Sequence, residues 1–303
     1  MRKLSFILIA GLLLGLCACG SGGPLPVNSV TEIDGTMFVL YNGAIYREGG
    51  EGWSQFARDA DEMVAYDGRI YYLSQGGKHC TLMQLDGTVD YESDLAYAMR
   101  SPQALRRNDF DPCLLWVSCI SVGERGHLRL FQPGNAETTL GIAPGARDYC
   151  KAGLWFYYAT KTKLFAARED GHYIGIEAAR GKDIANLQAN GDGSILYYSD
   201  KGLLYSLEAT GLAENGYEVL PFPAPRQLSE DASTRWVVDE GSTYYVSDGA
   251  LHRLDLASLE KNILAESGCV EAVSVAGGMV YYAAQQGFWR IDPGGGMAQQ
   301  LIP

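Results

Sequence analysis

Short apolar runs and turns alternate along this chain at a spacing that only β-hairpins satisfy. Residues 192–207, DGSILYYSDKGLLYSL, show the unit: an Asp-Gly turn, a run rich in β-branched and aromatic residues, a second turn ending at Gly202, and a second apolar run. Asp-Gly or Asn-Gly between apolar runs is the strongest short-range hairpin signal. The design recurs as DGTMFVLYNGAIYR from Asp34, DGRIYYLSQGGKHCTLMQL from Asp67, AGLWFYYATKTKLFAA from Ala152, EGSTYYVSDGALHRLDL from Glu240 and GGMVYYAAQQGFWRI from Gly277.

The residues closing the first turn of each unit are Gly35, Gly68, Pro112 (an imperfect match), Gly153, Gly193, Gly241 and Gly278, on average about 40 residues apart. A period of that length is the range of four-stranded propeller blades. In the second unit, residues 62–66, 69–74, 80–85 and 89–93 read as four short strands. The second strands (IYYL, LLWV, LWFYY, ILYY, TYYV, VYY) are nearly continuous apolar runs. A strand with one wet face alternates, whereas one covered on both faces does not, so these strands sit between packed sheets. Helical patterns of ten to fifteen residues, which a parallel βαβ fold needs, are almost absent. The fold class predicted is all-β: a seven-bladed β-propeller of four antiparallel strands per blade, with six or eight blades as the neighbouring counts. Residues 298–301 serve as the last fourth strand. A one-strand shift, in which residues 27–33 complete the last blade, stays open.

The first residues are organised differently. Arg2 and Lys3 precede an apolar stretch over 4–16, too short for a membrane span of about 20 residues, then Leu-Cys-Ala-Cys ending at Cys19 and a Gly/Ser tract. This is an export signal, and it resembles the bacterial lipoprotein lipobox, with Leu16 at −3, Ala18 at −1 and Cys19 as the residue to be lipidated. The resemblance implies a signal peptide over 1–18, a lipidated Cys19 with a tether over 19–29, a single propeller domain over 30–303, and attachment to the outer side of a bacterial membrane through the lipid anchor only.

Charge narrows the partners. The chain carries −12, and removing residues 1–18 takes it to −14. Such a surface repels phosphate backbones, so nucleic acid is not a partner expected here. Five cysteines lie beyond the signal: Cys80, Cys113, Cys119, Cys150 and Cys269. Their spacing matches no CxxC metal or redox motif, and most sit in apolar runs, which favours small buried hydrophobes; Cys113 or Cys119 with Cys150 is the pair to test for a disulfide.

The pattern DG-x-IYY-S-D-x-G-x-LY-x-L resembles bacterial propeller repeats related to the YWTD repeats of lipoprotein-receptor ectodomains, most closely at residues 192–207, 67–85 and 240–256. The YWTD tetrapeptide itself is absent, and YYSD at residues 197–200 is the nearest approach. The resemblance implies an extracellular recognition propeller and supplies no catalytic residue.

No GxSxG, HExxH, P-loop, dinucleotide fingerprint or EF-hand loop occurs, and no cofactor or metal site is expected. Most turns between second and third strands are short. Two are longer and charged, and they bring Lys78, His79, Glu124, Arg125 and His127 to one rim on adjacent blades. Two imidazoles and two cations beside a carboxylate suit an anionic sugar or carboxylate, or acid–base work of a lyase or hydrolase kind; the plainer reading is solvated loop side chains. The Tyr-Tyr pairs read as packing, Trp53 as the tryptophan likeliest to be exposed, and Asp109 with Asp111 as too few oxygens for Ca²⁺. Residues 208–234, with three prolines, read as a surface insertion, with a lid or docking arm as the functional alternative. The function these features point to is a non-enzymatic, membrane-anchored binding or scaffold protein for a protein, peptide or glycan, with a carbohydrate-active enzyme at the Lys78/His127 rim as the alternative.

Overall fold

The computed structural model describes residues 30–95, 98–107, 111–120, 126–131, 138–139, 145–152, 155–168, 175–209, 219–233, 235–266, 270–284 and 287–303, with the backbone alone between 101 and 139. These residues contain strands and turns and no helix. The strands form seven four-stranded sheets, each with its strands adjacent in chain order. Every described pairing is antiparallel, as in the second sheet. The first strands of the successive sheets are Val30–Ile33, Ala60–Tyr66, Ala98–Arg107, Asp148–Ala152, Ile184–Ala189, Trp236–Asp239 and Val270–Ala276. Val30–Ile33 touches both Ala60–Tyr66 and Val270–Ala276, so the first and last sheets meet. The architecture is that of a β-propeller, with the first strands lining its axis.

The sheets hold one another through layers of apolar side chains. Phe38, Leu40 and Ile45 of the first sheet pack with Met63, Ile70 and Tyr72 of the second. Tyr71, Leu73 and Cys80 on the other face of the second sheet meet Met99 of the third. Equivalent layers join the fourth sheet to the fifth, the fifth to the sixth and the sixth to the seventh. This explains the unbroken apolar second strands: with a neighbour on each face, Arg69–Ser74 and Trp155–Ala159 are buried almost end to end. The Tyr-Tyr pairs are therefore packing residues, and Tyr71, Tyr72, Tyr157, Tyr158, Tyr197, Tyr198, Tyr244, Tyr245, Tyr281 and Tyr282 are all buried.

The shifted register does not occur. Val30–Ile33 pairs within the first sheet, and the last sheet is completed by its own fourth strand, Gln299–Ile302. Closure is side-chain packing: Val30, Met37, Val39 and Tyr41 against Ala272, Tyr281, Ala283, Phe288 and Ile302, with the Tyr41 and Phe288 rings 5.6 Å apart. Trp53 corrects an expectation, because it is half-buried and packs on this closing layer. The reading of the cysteines as small buried hydrophobes holds where it is described: Cys80 and Cys150 are free buried thiols, so Cys150 forms no disulfide with Cys113 or Cys119. Burial raises both thiols above the ordinary range, so neither is poised as a nucleophile. The described part of 208–234 is no lid. Val219 and Phe222 pack on the layer between the fourth and fifth sheets, and Arg226–Gln227 is the fourth strand of the fifth sheet.

One hydrogen bond recurs at the junctions. The backbone carbonyl of a turn between second and third strands accepts an N–H from the entry to the next sheet's first strand: Ala60 to Gly43 (2.9 Å), Met99 to Gly77 (2.8 Å), Ile184 to Lys161 (2.9 Å), Ser233 to Gly202 (2.9 Å) and Val270 to Gly249 (2.9 Å). At Gly77 the approach is closest. Its φ is +80°, and a Cβ there would lie 2.0 Å from the Met99 carbonyl oxygen.

Two outcomes follow for stability. Gly43→Ala, at φ +75° with nothing within 4 Å, loses about 1 kcal/mol from left-handed backbone alone. Gly77→Ala loses clearly more, because the turn must also withdraw from Met99, and urea unfolding of the two variants reads the difference. Phe288→Ala opens the closing layer and costs about 3–5 kcal/mol in the same measurement.

Candidate functional site

The recurring junction bonds define one face. The turns between second and third strands lie there, together with the entries to the first strands, and this rim surrounds one mouth of the central channel. The expected rim residues fall unevenly on the description. Lys78 is exposed, with no ion pair among the described residues, while its backbone carbonyl accepts the N–H of Leu95 at 2.7 Å. His79 begins the third strand of the second sheet, His79–Met83, directly opposite Asp94 on the outermost strand, and Nδ1 lies 2.8 Å from the Asp94 carboxylate. Asp94 is 90% exposed, so this imidazole–carboxylate pair sits on the outer half of its sheet, away from the channel. Glu124, Arg125 and Cys19 lie outside the described residues. His127 is described by its backbone alone, on a strand where it pairs with Cys119. The convergence of His79 with His127 therefore falls outside the description, as does the Asp109–Asp111 pair.

Nearer the axis the structure assembles groups that no local motif announced. Bulges near the starts of first strands, at Ala60/Glu62, Ala185/Gln188 and Val270/Ala272, interrupt the pleat. They leave Asp61 and Glu271 exposed at the rim. Asp61 then accepts the amides of Gly76 (2.6 Å) and Gly77 (3.2 Å), holding the longer turn that carries Lys78. Between the fourth and fifth sheets the Asp200 carboxylate accepts the amides of Lys182 (2.8 Å) and Asp183 (2.7 Å), and Asp183 pairs with Arg147 at 2.9 Å. The carboxylates are thereby engaged, whereas Lys161, Lys182 and Lys201 stand exposed with no ion pair among the described residues.

Arg235 lies next to this group, immediately before the first strand of the sixth sheet. Its backbone is held by the Ser233 hydroxyl, and the Ser233 amide and Trp236 indole N–H both donate to Gly202 O in the Lys201 turn. Its guanidinium is largely enclosed, and Nη1 is buried without a hydrogen-bond partner among the described residues. Burial pulls it down to about 10, while Glu62 acts the other way. Glu62 belongs to the first strand of the second sheet, which is no neighbour of the sixth. Two such strands see each other only across the channel. His252 is buried in the sixth sheet and stacked on Tyr245 at 5.1 Å.

Asp148 opens the first strand of the fourth sheet and reaches into the bulge of the fifth. Its carboxylate accepts the amides of Tyr149 (2.8 Å) and Leu187 (2.9 Å). Enclosure pushes it up to about 6, against the lowering effect of these amides. A carboxyl raised in the folded state above an ordinary value of about 3.9 holds its proton more tightly when folded. It therefore costs nothing below about pH 4, and stability falls as pH rises to about 6, by about 3 kcal/mol at most. Asp148→Asn is expected to remove this slope, so the difference in urea-unfolding free energy between parent and variant should change between pH 4 and 7 and be flat above it.

No protein-family model matches the chain, and no curated protein matches it. Solved structures do. Kluyveromyces lactis Hsv2 with loop 6CD replaced by a Gly-Ser linker is 10% identical over 88% of this chain and 95% of that one, with a TM-score of 0.56. The same yeast protein with its complete loop 6CD gives 0.55 at 10% identity and the same coverage. PorZ, an essential bacterial surface component of the type-IX secretion system of Porphyromonas gingivalis, is 14% identical over 93% of this chain, with a TM-score of 0.58. This chain spans 38% of PorZ. At such identities the likeness is one of fold, and the fold it shows is the β-propeller.

Proposed function

We propose that this protein is a lipid-anchored, extracytoplasmic binding or scaffold propeller, with each of its seven sheets serving as one blade, that holds a protein, peptide or glycan on the rim face. The observation that carries the reading is the backbone bond that joins a turn to the next sheet at five described junctions. It fixes the rim turns as a rigid platform while leaving their side chains, Lys78 among them, free to meet a partner. PorZ supports the setting as a propeller-containing component of a bacterial surface assembly. The residues proposed to contact the partner are Lys78, His79, Glu124, Arg125 and His127.

The anchor belongs to the same reading. Leu16, Ala18 and Cys19 supply the lipobox positions. Several acyl chains on Cys19 would give stable membrane attachment, where one chain gives marginal binding.

Cys19→Ala is expected to abolish incorporation of labelled palmitate and to move the protein from the membrane fraction to the soluble exported fraction. Retention in the membrane fraction without label would remove the anchor from the proposal. A photo-crosslinker at position 78 in the anchored protein should give a discrete adduct that one at exposed Met297, which lies outside the rim turns, does not.

A further inference from the structure

The rim turns of the fourth and fifth sheets and the connection between them form one laced backbone. Residues 160–162 turn between the second and third strands of the fourth sheet, residues 181–183 lead into the fifth, and residues 201–202 form its own turn. The Gly181 amide donates to Thr162 O (3.0 Å), the Ile184 amide to Lys161 O (2.9 Å) and the Lys201 amide to Asp183 O (3.1 Å). Two glycines permit the approach. A Cβ on Gly181 would lie 2.8 Å from the Asp200 carboxylate and from Ile184 Cγ1, and one on Gly202, at φ +81°, would lie 3.1 Å from Ser233 O. The three segments are held through their backbones, and no lysine side chain takes part in holding them.

Each segment nevertheless carries a lysine: Lys161 in the first, Lys182 in the second and Lys201 in the third. The carboxylates beside them are already engaged. Asp183 pairs with Arg147 at 2.9 Å, and Asp200 is turned onto the amides of Lys182 (2.8 Å) and Asp183 (2.7 Å). Lys163, just beyond the first turn, is paired with Glu177 at 2.9 Å. Lys161, Lys182 and Lys201 are exposed, and their ammonium groups have neither ion pair nor hydrogen bond among the described residues. Like charges fixed side by side repel, and a ligand that brings negative charge relieves them.

We infer that this strip docks a short, extended acidic segment of a partner protein. Hydrogen-bonded neighbouring segments lie about 5 Å apart, and alternate side chains of an extended chain about 7 Å apart. Carboxylates on every second residue of a segment laid across the three turns therefore come within reach of successive lysines. An ammonium on a flexible stem suits such separate carboxylates, since it acts as a point charge with freely turning donors. The acidic surroundings set the length of the ligand. Glu230, Asp248, Glu266 and Glu271 are exposed farther round the rim, and the chain as a whole carries −12. A long polyanion or an anionic bilayer would have to lie over those carboxylates too, whereas a segment of a few residues meets the lysines alone. The inference deepens the binding reading and rests on it, on a sector of the rim separate from Lys78 and His79.

The experiment is fluorescence anisotropy with the full-length protein in nonionic detergent at low salt. The probes, each carrying one uncharged fluorophore, are an end-blocked hexapeptide of alternating glutamate and glycine, its glutamine counterpart, and trigalacturonate. The glutamate peptide is expected to bind and to be released by about 1 M salt, where the screening length falls to about 3 Å. Lys161→Gln, Lys182→Gln and Lys201→Gln should each weaken it about twofold to fivefold, and the three together about tenfold or more, while Lys182→Arg keeps it. Arg58→Gln removes an exposed cation at the rim end of the first sheet's fourth strand, Gly52–Arg58, and should leave binding unchanged. If the triple variant fails to fold, the single variants set against Lys182→Arg decide. The site is overturned if the glutamate peptide does not bind at low salt, if the glutamine peptide binds as well, or if the folded triple variant binds like the parent. Equal weakening by Arg58→Gln and Lys182→Gln also overturns it, and tighter binding of trigalacturonate than of the peptide overturns the protein partner in favour of a glycan. The anchor and the crosslink at position 78 are read on other residues, so failure here leaves the proposed function standing.

Discussion

The molecule depends on how each sheet is joined to the next, and the joint is a backbone hydrogen bond. A propeller leaves the inner edge of every first strand facing the axis, with N–H groups that no fifth strand satisfies. At five junctions the first available donor goes to the carbonyl of the preceding sheet's turn. Each such bond contributes only about 1 kcal/mol, but repetition sets the angle and height of the sheets it joins against one another. The apolar layers then fill a spacing that the backbone has already fixed. Gly77 shows the cost of this arrangement in sequence terms, since the turn comes so close to Met99 that a side chain has no room.

Much of the fold was legible because packing on both faces leaves its mark on composition. The second strands stand out as aromatic runs, and the observed Arg69–Ser74 coincides with the segment expected from the sequence. Outer strands were less legible, because exposure removes the apolar signal. Arg226–Gln227 is a two-residue fourth strand inside a stretch that read as an insertion, and Gln299–Ile302 was placed one residue early. The site was legible only at the rim turns, where length and charge show locally. The pairing of His79 with Asp94 depends on strand register, and the seating of the Ser233 and Trp236 donors on the Gly202 carbonyl depends on how the fifth sheet meets the sixth. Neither leaves a mark within a window of neighbouring residues.

The rim is not electrically uniform. Its basic strip follows the fourth and fifth sheets, while Asp248, in the turn between the second and third strands of the sixth sheet, and Glu266 and Glu271, at the passage from the sixth sheet to the seventh, lie exposed. Opposite charges separated around one ring give a partner a preferred rotation as well as a preferred side, so complementarity here selects orientation more than it adds affinity.

The direction of Val30–Ile33 carries one more consequence. First strands begin on the rim face, so Val30 enters the ring from that side. The eleven residues 19–29 span at most about 40 Å when fully stretched. A ring held through Cys19 would hang with its rim toward the bilayer, over a gap no deeper than a small domain. On the proposed anchor such a tether would act as a size filter: slender chains and shallow surfaces would reach the rim, and bulky globular partners would be kept to the ring's outer wall.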